Sequence, residues 1–384
     1  MANQFIMPKR ILTGKDSLEG SKEYLKDFGK RALIVTDKVM TELGNVKVVT
    51  DVLESVNIEY VLYNEINSEP TDIMIEKGIE LYKEENCDFL IGLGGGSPID
   101  STKAIGAMIT NEGDIADYMG IEIPNELPPF AVIPTTAGTG SEATQFTIIT
   151  DTKNDVKMLL KGASLLPTLA IVDPRFTMTA PAKITAATGL DALTHAIEAY
   201  TSRKAQPLSD GFAVSAVKRI FKYLPVAYEI PKDLRAREEM SIAALEAGIA
   251  FNNSSVTIVH GMSRPIGALF HVPHGLSNAM LLKACFEYVV DGAYEKFAQL
   301  GKEINVATED MEDEVAAKLF IEEVVKLMER LEIPTLEEFG VDRVKFFDNI
   351  EKMAKDAMES GSPSNTRKVI EVEDIIAIYN NLWR

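Results

Sequence analysis

The stretch DFLIGLGGGSPID (residues 88–100) predicts a buried strand, a glycine turn and the first turn of a helix. A short apolar run that ends at glycines is typical of a strand in a parallel sheet. Three consecutive glycines at 94–96 allow the backbone to approach a ligand closely. We expect Ser97 to cap the helix, with Pro98 in its first turn and Asp100 three residues after the cap. The N–H groups and the dipole of such a helix start favour an anion, and a tight turn without a ligand is the alternative.

Strand and helix patterns alternate on both sides of this stretch. Strands are predicted at residues 31–37, 58–66, 88–96 and 129–136, and helices at residues 46–57 and 71–87. Because strands that alternate with helices of this length form βαβ units, we expect a parallel sheet. Beyond residue 179 the patterns are almost all helical. The sequence therefore predicts an α/β domain over residues 1–180 and an all-helical domain over residues 181–384.

The overall charge excludes two classes of partner. The chain of 384 residues has 58 acidic and 39 basic side chains, a formal net charge of -19, and no basic tract. Nucleic acid is not expected, since phosphate contacts need clustered lysine and arginine, and neither is an anionic membrane surface. No apolar run reaches the roughly 18 residues of a membrane span. With Cys87 and Cys285 as the only cysteines and no signal-peptide pattern, we expect a protein of the reducing cytoplasm.

A second loop, PTTAGTGSEAT (residues 134–144), also follows a predicted strand. Hydroxyl side chains dominate it, at Thr135, Thr136, Thr139, Ser141 and Thr144. Such a loop can surround a polar cofactor with hydroxyl and backbone donors, and an ordinary surface turn is the alternative. Both loops follow parallel strands, and doubly wound sheets bind ligands at the carboxyl ends of their strands. Lys157 and Lys161 follow shortly after and can offset the acidic field.

Asp37 stands at the end of the first strong strand pattern. A carboxylate there can accept hydrogen bonds from a ribose 2′-hydroxyl and repels a 2′-phosphate, which favours NAD over NADP. The alternative is that Asp37 caps the helix predicted for KVMTEL (residues 38–43).

The four histidines of the chain are unevenly placed. His195 follows Asp191 by four residues on a predicted helix, so both side chains lie on one helix face. His260, His271 and His274 fall within fifteen residues. On one straight helix His260 and His274 would lie about 21 Å apart, but Gly261, Pro265, Gly267, Pro273 and Gly275 are expected to end helices and turn the chain.

Three imidazoles and one carboxylate suit a divalent Fe, Zn, Co or Mn ion. For each histidine taken alone, a hydrogen-bonded structural role is the alternative. Spacing alone does not bring the segment around Asp191 together with the segment from His260 to His274.

Four longer stretches carry a resemblance to a known family. They are GLGGGSPIDSTKAIG, PTTAGTGSEAT, ATGLDALTHAIEAY and VHGMSRPIGALFHVPHGLSNAMLL. In these stretches the chain resembles the iron-containing (group III) alcohol dehydrogenases, which include lactaldehyde reductase and propane-1,3-diol dehydrogenase. The resemblance implies a Rossmann-like dinucleotide-binding α/β domain, an all-α domain, and an active site in the cleft between the two. It also implies a homodimer or a larger homo-oligomer.

The resemblance assigns roles to individual residues. The family's metal ligands fall on Asp191, His195, His260 and His274. Its cofactor contacts fall on the glycine turn, the threonine loop and residues near them: Asp37, Gly94, Gly95, Gly96, Ser97, Asp100, Thr135, Thr136, Thr139, Thr144 and Lys157. Phe146 and Phe251 are expected to line the substrate pocket, and a place in the apolar core is the alternative for both.

The chain departs from the family pattern at a few positions. Arg264 stands where many relatives carry a further histidine with a catalytic or proton-handling role, and His271 is the expected substitute provided that it faces the cleft. Glu69 replaces an asparagine that lies near the cofactor in lactaldehyde reductase, and Phe146 replaces a polar residue beside the substrate.

The function that the resemblance implies is hydride transfer between NAD(H) and a small alcohol, diol or aldehyde, whose oxygen is bound by Fe²⁺ or Zn²⁺. Glycerol dehydrogenases, which use zinc, and dehydroquinate synthases, which are lyases, are alternatives of related architecture. A nucleotide-binding protein without turnover is the alternative from another class.

Overall fold

The computed structural model describes residues 2–154 and 156–383. By internal contacts the chain divides into a first unit of residues 6–180 and a second unit of residues 2–5 with 181–383. The first unit contains strands and helices, and the described part of the second unit is built from helices. The predicted order of an α/β region followed by an all-α region is therefore confirmed.

Parallel strands organise the first unit. Its strands are β1 (Ile11–Thr13), β2 (Arg31–Val35), β3 (Glu59–Tyr63), β4 (Phe89–Gly94), β5 (Phe130–Pro134), β6 (Phe146–Asp151), β7 (Val156–Lys161) and β8 (Leu169–Val172). Within the described residues, six of them form a sheet in the order β1-β8-β5-β4-β2-β3, in which every pair is parallel. β6 and β7 form a separate antiparallel pair. The short β1 and β8 and the β6–β7 pair are additions to the predicted strands.

Helices cover both faces of this sheet. They are α1 (Ser17–Gly20), α2 (Lys22–Lys26), α3 (Lys38–Glu42), α4 (Asn45–Ser55), α5 (Asp72–Glu84) and α6 (Gly96–Thr110), with 3₁₀ turns at Ile115–Tyr118, Ser141–Ala143, Ala163–Leu165 and Pro174–Thr179. Along β2, Leu33 and Val35 join one apolar cluster, whereas Ala32 and Ile34 join another. Because alternate side chains of a strand point to opposite faces, both faces of the sheet are buried. This explains why the central strands are continuous apolar runs.

The start of α6 differs from the prediction. The helix begins at Gly96 with Gly95 at the N-cap position, and no side chain caps it. Ser97 therefore lies inside the first turn, and its predicted capping role is wrong. A Cβ on Gly94 would lie 2.4 Å from Pro98 Cγ, so the glycine turn closes tightly against the proline, and helical geometry starts two residues earlier than predicted.

The second unit is built around buried helices. They are α7 (Ala182–Thr201), α8 (Pro207–Glu229), α9 (Leu234–Asn252), α10 (Ile258–Phe270), α11 (His274–Val289), α12 (Tyr294–Glu303), α13 (Asp313–Arg330), α14 (Leu336–Phe339), α15 (Arg343–Asp348), α16 (Ile350–Glu359) and α17 (Val372–Asn381), with 3₁₀ turns at Val290–Gly292 and Pro363–Asn365. α7 packs against α8, α9 and α11. Every residue of α7 from Gly189 to its end at Thr201 is buried, so side chains in that stretch are held by packing.

The chain turn between His260 and His274 is shorter than predicted. α10 continues through Gly261, Pro265 and Gly267, and only the residues between α10 and α11 leave helical geometry. The prediction that those three residues end helices is wrong. Burial of the apolar face of α10, which includes Val259, Met262 and Ile266, offsets the roughly 3 kcal/mol that an interior proline costs.

Two further sequence features have a simple structural outcome. Within residues 2–154 and 156–383, no helix is both long and apolar enough to cross a bilayer. Cys87 and Cys285 are buried free thiols and form no disulfide with each other.

Candidate functional site

Three helices of the second unit carry the predicted metal ligands. Asp191 and His195 lie one turn apart on α7 and are both buried. His260 lies in the first turn of α10, and His274 is the first residue of α11. Each ligand is therefore attached to a helix that is held by its own packing.

The four side chains converge. Ligand atoms of Asp191, His195 and His260 all lie within 4.8 Å of one another. His260 Nε2 and His274 Nε2 each lie 3.8 Å from Asp191 Oδ1. The ring centroids are 4.4 Å apart for His195 and His260, and 5.4 Å apart for His260 and His274. The His274 side chain is 46% exposed whereas Asp191 is 2% exposed, so the cluster is open to solvent on the His274 side.

The protonation states of His195 and Asp191 suit the binding of a cation. Burial lowers the pKa of His195 to about 3, so its imidazole is neutral at pH 7 and retains a lone pair. Burial favours the neutral form of Asp191, but electrostatic interactions with the three histidines and the hydrogen bond from Asn278 outweigh it and leave the pKa of Asp191 below its ordinary value. A carboxylate and neutral imidazoles are the ligand types that divalent first-row metals take.

Asn278 adds a fifth polar group to the cluster. Its Nδ2 lies 2.7 Å from Asp191 Oδ1, 3.2 Å from His260 Nε2 and 3.3 Å from His274 Nε2. One carboxylate oxygen and two imidazole nitrogens therefore face one point. Asn278 Oδ1 and His195 Nδ1 are buried without a hydrogen-bond partner among the described residues. Buried polar atoms without a hydrogen-bond partner are costly. These two atoms, together with the carboxylate and the imidazoles of the cluster, fit a bound metal ion.

Sequence reasoning missed both Asn278 and a buried carboxylate, Glu198. Glu198 lies three residues after His195 on α7, and its Oε2 is 2.6 Å from His260 Nδ1. Asn278 lies four residues after His274 on α11. In both cases the signal was available as helical spacing from a predicted ligand, since residues three or four apart share a helix face.

In the first unit, the glycine turn and the threonine loop lie side by side. They follow β4 and β5, which pair in parallel with Gly94 opposite Pro134. Thr135 N donates to Gly94 O at 2.9 Å. A Cβ on Gly95 would lie 3.5 Å from Thr136 Oγ1, and one on Gly96 would lie 3.1 Å from Thr139 Cγ2. Side chains at these glycines would fill the space between the loops, so the turn forms a cradle of backbone and hydroxyl groups.

Two charged side chains hold the threonine loop in place, the half-buried Asp100 and the fully buried Lys103. Asp100 accepts from Ser141 Oγ at 2.8 Å and from Ile148 N at 3.1 Å. Lys103 Nζ donates to Thr144 O at 2.9 Å and to Thr144 Oγ1 at 3.0 Å. Asp100 and Thr144 were predicted to contact the cofactor, and the structure gives both of them internal partners that fix the shape of the loop.

Burial shifts the pKa of the charged side chains that make or adjoin these contacts. Burial lowers the pKa of Lys103 to about 8, raises that of Glu142 to about 7, and also raises that of Asp100. Lys103 Nζ makes a further bond to Phe146 O at 2.8 Å. Phe146 itself is half-buried at the start of β6.

Asp37 and Lys157 are both involved in contacts of their own. Asp37 caps α3, and its Oδ1 accepts from Met40 N at 2.8 Å, as the helix-cap alternative predicted. Its other oxygen accepts no hydrogen bond from the described residues, so capping leaves one oxygen for a ligand. Lys157 forms an ion pair with Glu69 at 2.7 Å.

The remaining predicted residues differ in their relation to the cluster. The Phe251 ring stacks on His195 with a centroid distance of 4.2 Å. His271 is exposed at the end of α10 in a left-handed conformation, and among the described residues it makes no hydrogen bond or ring contact with the four ligands. Arg264 is half-buried one turn after His260 and forms no ion pair within the described part of the chain.

Comparison with known proteins covers nearly the whole chain. The sequence model described as iron-containing alcohol dehydrogenase matches residues 8–174, and the one described as Fe-containing alcohol dehydrogenase family, C-terminal, matches residues 185–383. The 1,3-propanediol dehydrogenase of Citrobacter freundii is 39% identical over 375 residues, which are 96% of this chain and 96% of that protein. The NAD-dependent methanol dehydrogenase of Bacillus methanolicus is 35% identical over 384 residues, 99% and 100% of the two chains. A solved structure of 1,3-propanediol oxidoreductase matches with a TM-score of 0.96 and 34% identity, covering 100% of both chains.

Proposed function

The chain belongs to the iron-containing alcohol dehydrogenase family, and from this premise we propose that it is an NAD(H)-linked alcohol dehydrogenase with a divalent metal at Asp191, His195, His260 and His274. The predictions of this family and of an alcohol dehydrogenase are confirmed by the matches over both halves of the chain. The metal, the cofactor preference and the substrate are the parts we propose.

A single observation carries the proposal of a metal site. Ligand atoms from α7 and α10 lie within 4.8 Å of one another, and His274 Nε2 from α11 lies 3.8 Å from Asp191 Oδ1. The donor set, three imidazoles and a carboxylate, suits Fe²⁺ or Zn²⁺. When bound there, such an ion would supply Lewis-acid polarisation of the substrate oxygen.

The residues of the chain have separate tasks in this proposal. Asp191 would offset part of the charge of the ion, and the three imidazoles would bind it without adding charge. Phe251 covers one face of His195 with an apolar ring, which keeps water from that side of the site. The predicted role of Phe146 and Phe251 in lining the substrate pocket stays a prediction.

The nucleotide would bind in the first unit. The N-terminus of α6 has no side-chain cap, so its backbone N–H groups remain suited to a pyrophosphate. The oxygen of Asp37 that does not cap α3 would accept from a ribose hydroxyl and repel a 2′-phosphate. The name of the Bacillus methanolicus relative, an NAD-dependent enzyme, supports the same preference.

The substrate we propose is a small alcohol or diol, or the matching aldehyde. Two relatives that match over nearly the whole chain are named for methanol and for 1,3-propanediol, which are small and uncharged.

The metal assignment is tested with Asp191→Ala and His274→Ala. Each variant should lose bound Fe²⁺ or Zn²⁺, measured by elemental analysis after reconstitution. Turnover of NADH with a panel of small aldehydes should fall at least about a hundredfold, because the Lewis acid is lost. NADH binding, measured by fluorescence, should be retained. Asp348→Ala, which removes an exposed carboxylate from α15, is the matched control and should change none of these.

Four outcomes would contradict parts of the proposal. Normal turnover by the metal-free protein would remove the role of the metal. A preference for NADP(H) would overturn the assignment of Asp37. Release of product without net consumption of NADH would favour a lyase of the dehydroquinate synthase type, and the absence of any turnover would favour a nucleotide-binding protein.

A further inference from the structure

Glu198 shares a helix face with two of the proposed metal ligands. It follows Asp191 by seven residues and His195 by three on α7, so the three side chains point to the same side. Its side chain is 0% exposed. A fully buried carboxylate is costly unless hydrogen bonds satisfy it, so both oxygens of Glu198 need hydrogen-bond donors.

The two carboxylate oxygens of Glu198 have different partners, all in the first turn of α10 or just before it. Oε1 accepts from Val259 N at 2.6 Å and from Thr257 Oγ1 at 2.8 Å. Oε2 lies 2.6 Å from His260 Nδ1. Val259 N belongs to the first turn, where N–H groups have no partner inside the helix, and Thr257 makes no capping bond of its own. Glu198 therefore caps α10 with one oxygen and contacts His260, the proposed metal ligand on α10, with the other.

The contact with Oε2 decides which nitrogen of His260 carries the proton. An ionised carboxylate oxygen only accepts hydrogen bonds, so Nδ1 must donate, and in the neutral ring Nε2 is left with a lone pair. Nε2 is the atom that lies 3.8 Å from Asp191 Oδ1 and 3.2 Å from Asn278 Nδ2. The lone pair is therefore directed into the ligand cluster.

We infer that Glu198 is a positioning residue for the metal site. It acts through His260, by holding the Nδ1–H tautomer and the ring orientation, and it ties the first turn of α10 to α7. Two of the three ligand-bearing helices, α7 and α10, are thereby fixed relative to each other at the ligands. This inference rests on the proposed metal site, and outer carboxylates of this kind raise metal affinity by orienting the ligand.

Glu198→Gln separates this role from simple helix capping. Glutamine keeps the size of the side chain and one carbonyl oxygen, which can still accept from Val259 N and Thr257 Oγ1. Its NH₂ group then faces His260 Nδ1 as a donor. Nδ1 must now accept, so the proton moves to Nε2 and blocks the lone pair that a metal needs.

Two measurements report on the inference without using enzyme activity. With ¹⁵N-labelled histidine, the chain gives signals from four histidines only, which single-residue variants can assign. Metal-free wild-type protein should show the Nδ1–H tautomer at His260, and Glu198→Gln the Nε2–H tautomer. The Kd for Zn²⁺, measured by chelator competition, should rise by about 10–100-fold in the variant.

Controls separate positioning from loss of structure. Glu246→Gln changes another largely buried glutamate of the second unit, one that bonds Ser215 and Arg219, and should leave the Zn²⁺ affinity unchanged. The thermal unfolding midpoint of metal-free Glu198→Gln should stay close to wild type, because the cap of α10 is kept.

The outcomes are distinguishable from those of the proposed function. If Glu198→Gln binds Zn²⁺ as tightly as wild type, or if metal-free wild-type protein shows the Nε2–H tautomer at His260, the inference is wrong. The second result needs no variant and holds even if Glu198→Gln fails to fold. If wild-type protein itself binds no metal, the proposed function fails instead.

Discussion

Burial determines the charge of the individual side chains that support both sites. In the first unit, Lys103 beside the threonine loop and Glu142 within it are almost completely excluded from solvent. Burial brings the pKa of Lys103 down to about 8 and that of Glu142 up to about 7, so both titrate near neutral pH. The loop that is expected to surround the cofactor therefore rests on groups whose charge changes in the working range of pH.

Glu142 gives a pH dependence of stability with a definite sign. Its folded pKa is raised to about 7 from 4.5, so between these values the folded state holds the proton more tightly than the unfolded state. The stability that this provides is complete below about pH 4.5 and is lost as the pH rises through about 7. Relative to wild type, the free energy of unfolding of Glu142→Gln should therefore increase by roughly 3 kcal/mol from pH 4.5 to pH 8.

Urea titrations across that pH range measure the difference. Glu80→Gln, which changes an exposed glutamate on α5, is the control and should run parallel to wild type. A constant offset between Glu142→Gln and wild type would show that Glu142 has an ordinary pKa in the folded state.

At the scale of elements, the close approach of α11 to α7 brings His274 to Asp191. Gly275, the second residue of α11, makes that approach possible. A Cβ at this position would lie 2.7 Å from Ala187 O and 3.2 Å from Asp191 Cβ, and a backbone oxygen cannot move aside as a flexible side chain can. The glycine therefore sets the distance between two helices that carry ligands.

We expect Gly275→Ala to displace the start of α11. The free energy of unfolding should fall by about 1–3 kcal/mol, because the added methyl group overpacks the helix contact. The affinity for Zn²⁺ should fall as well, since His274 moves away from Asp191. Denaturant titration and chelator competition measure the two effects.

Gly211→Ala on α8 is the matched control, because a Cβ there meets no atom within 4 Å. This variant should gain about 0.5–1 kcal/mol from helix propensity and bind Zn²⁺ normally. Equal Zn²⁺ affinity in Gly275→Ala and wild type would mean that the spacing of α7 and α11 does not position His274.

At the scale of the whole molecule, the two sites are built from separate units. The four proposed metal ligands and their supports Glu198 and Asn278 all belong to residues 181–383, and the glycine turn and threonine loop to residues 6–180. Each unit therefore assembles its own site from its own core.

This division predicts where metal binding stabilises the chain. Addition of Zn²⁺ to metal-free protein without nucleotide should slow amide hydrogen exchange in α7, α10 and α11, since a ligand stabilises the segments that hold it. Exchange in the parallel sheet around β4 and β5 should stay unchanged. Protection confined to residues 6–180, measured by mass spectrometry of peptides, would place the metal elsewhere.

Much of the fold was predictable from local patterns. The apolar runs that became β2, β4 and β5 were recognised because both faces of a parallel sheet are buried, which leaves little polar alternation. β1 and β8, with three and four residues, were missed since so short a segment has no readable period. The path of α10 through Pro265 was mispredicted because tertiary burial outweighed a local helix breaker.

By itself the sequence determined which chemical groups are present and how they are spaced along each helix, as for Asp191 and His195, and its long motifs pointed to the right family. Only the tertiary structure decided that these groups meet. Glu198 and His260 are 62 positions apart in the chain, and Asp191 and Asn278 are 87 apart. Contacts over such separations depend on how α7, α10 and α11 pack, and packing is a property of the whole core that no local pattern contains.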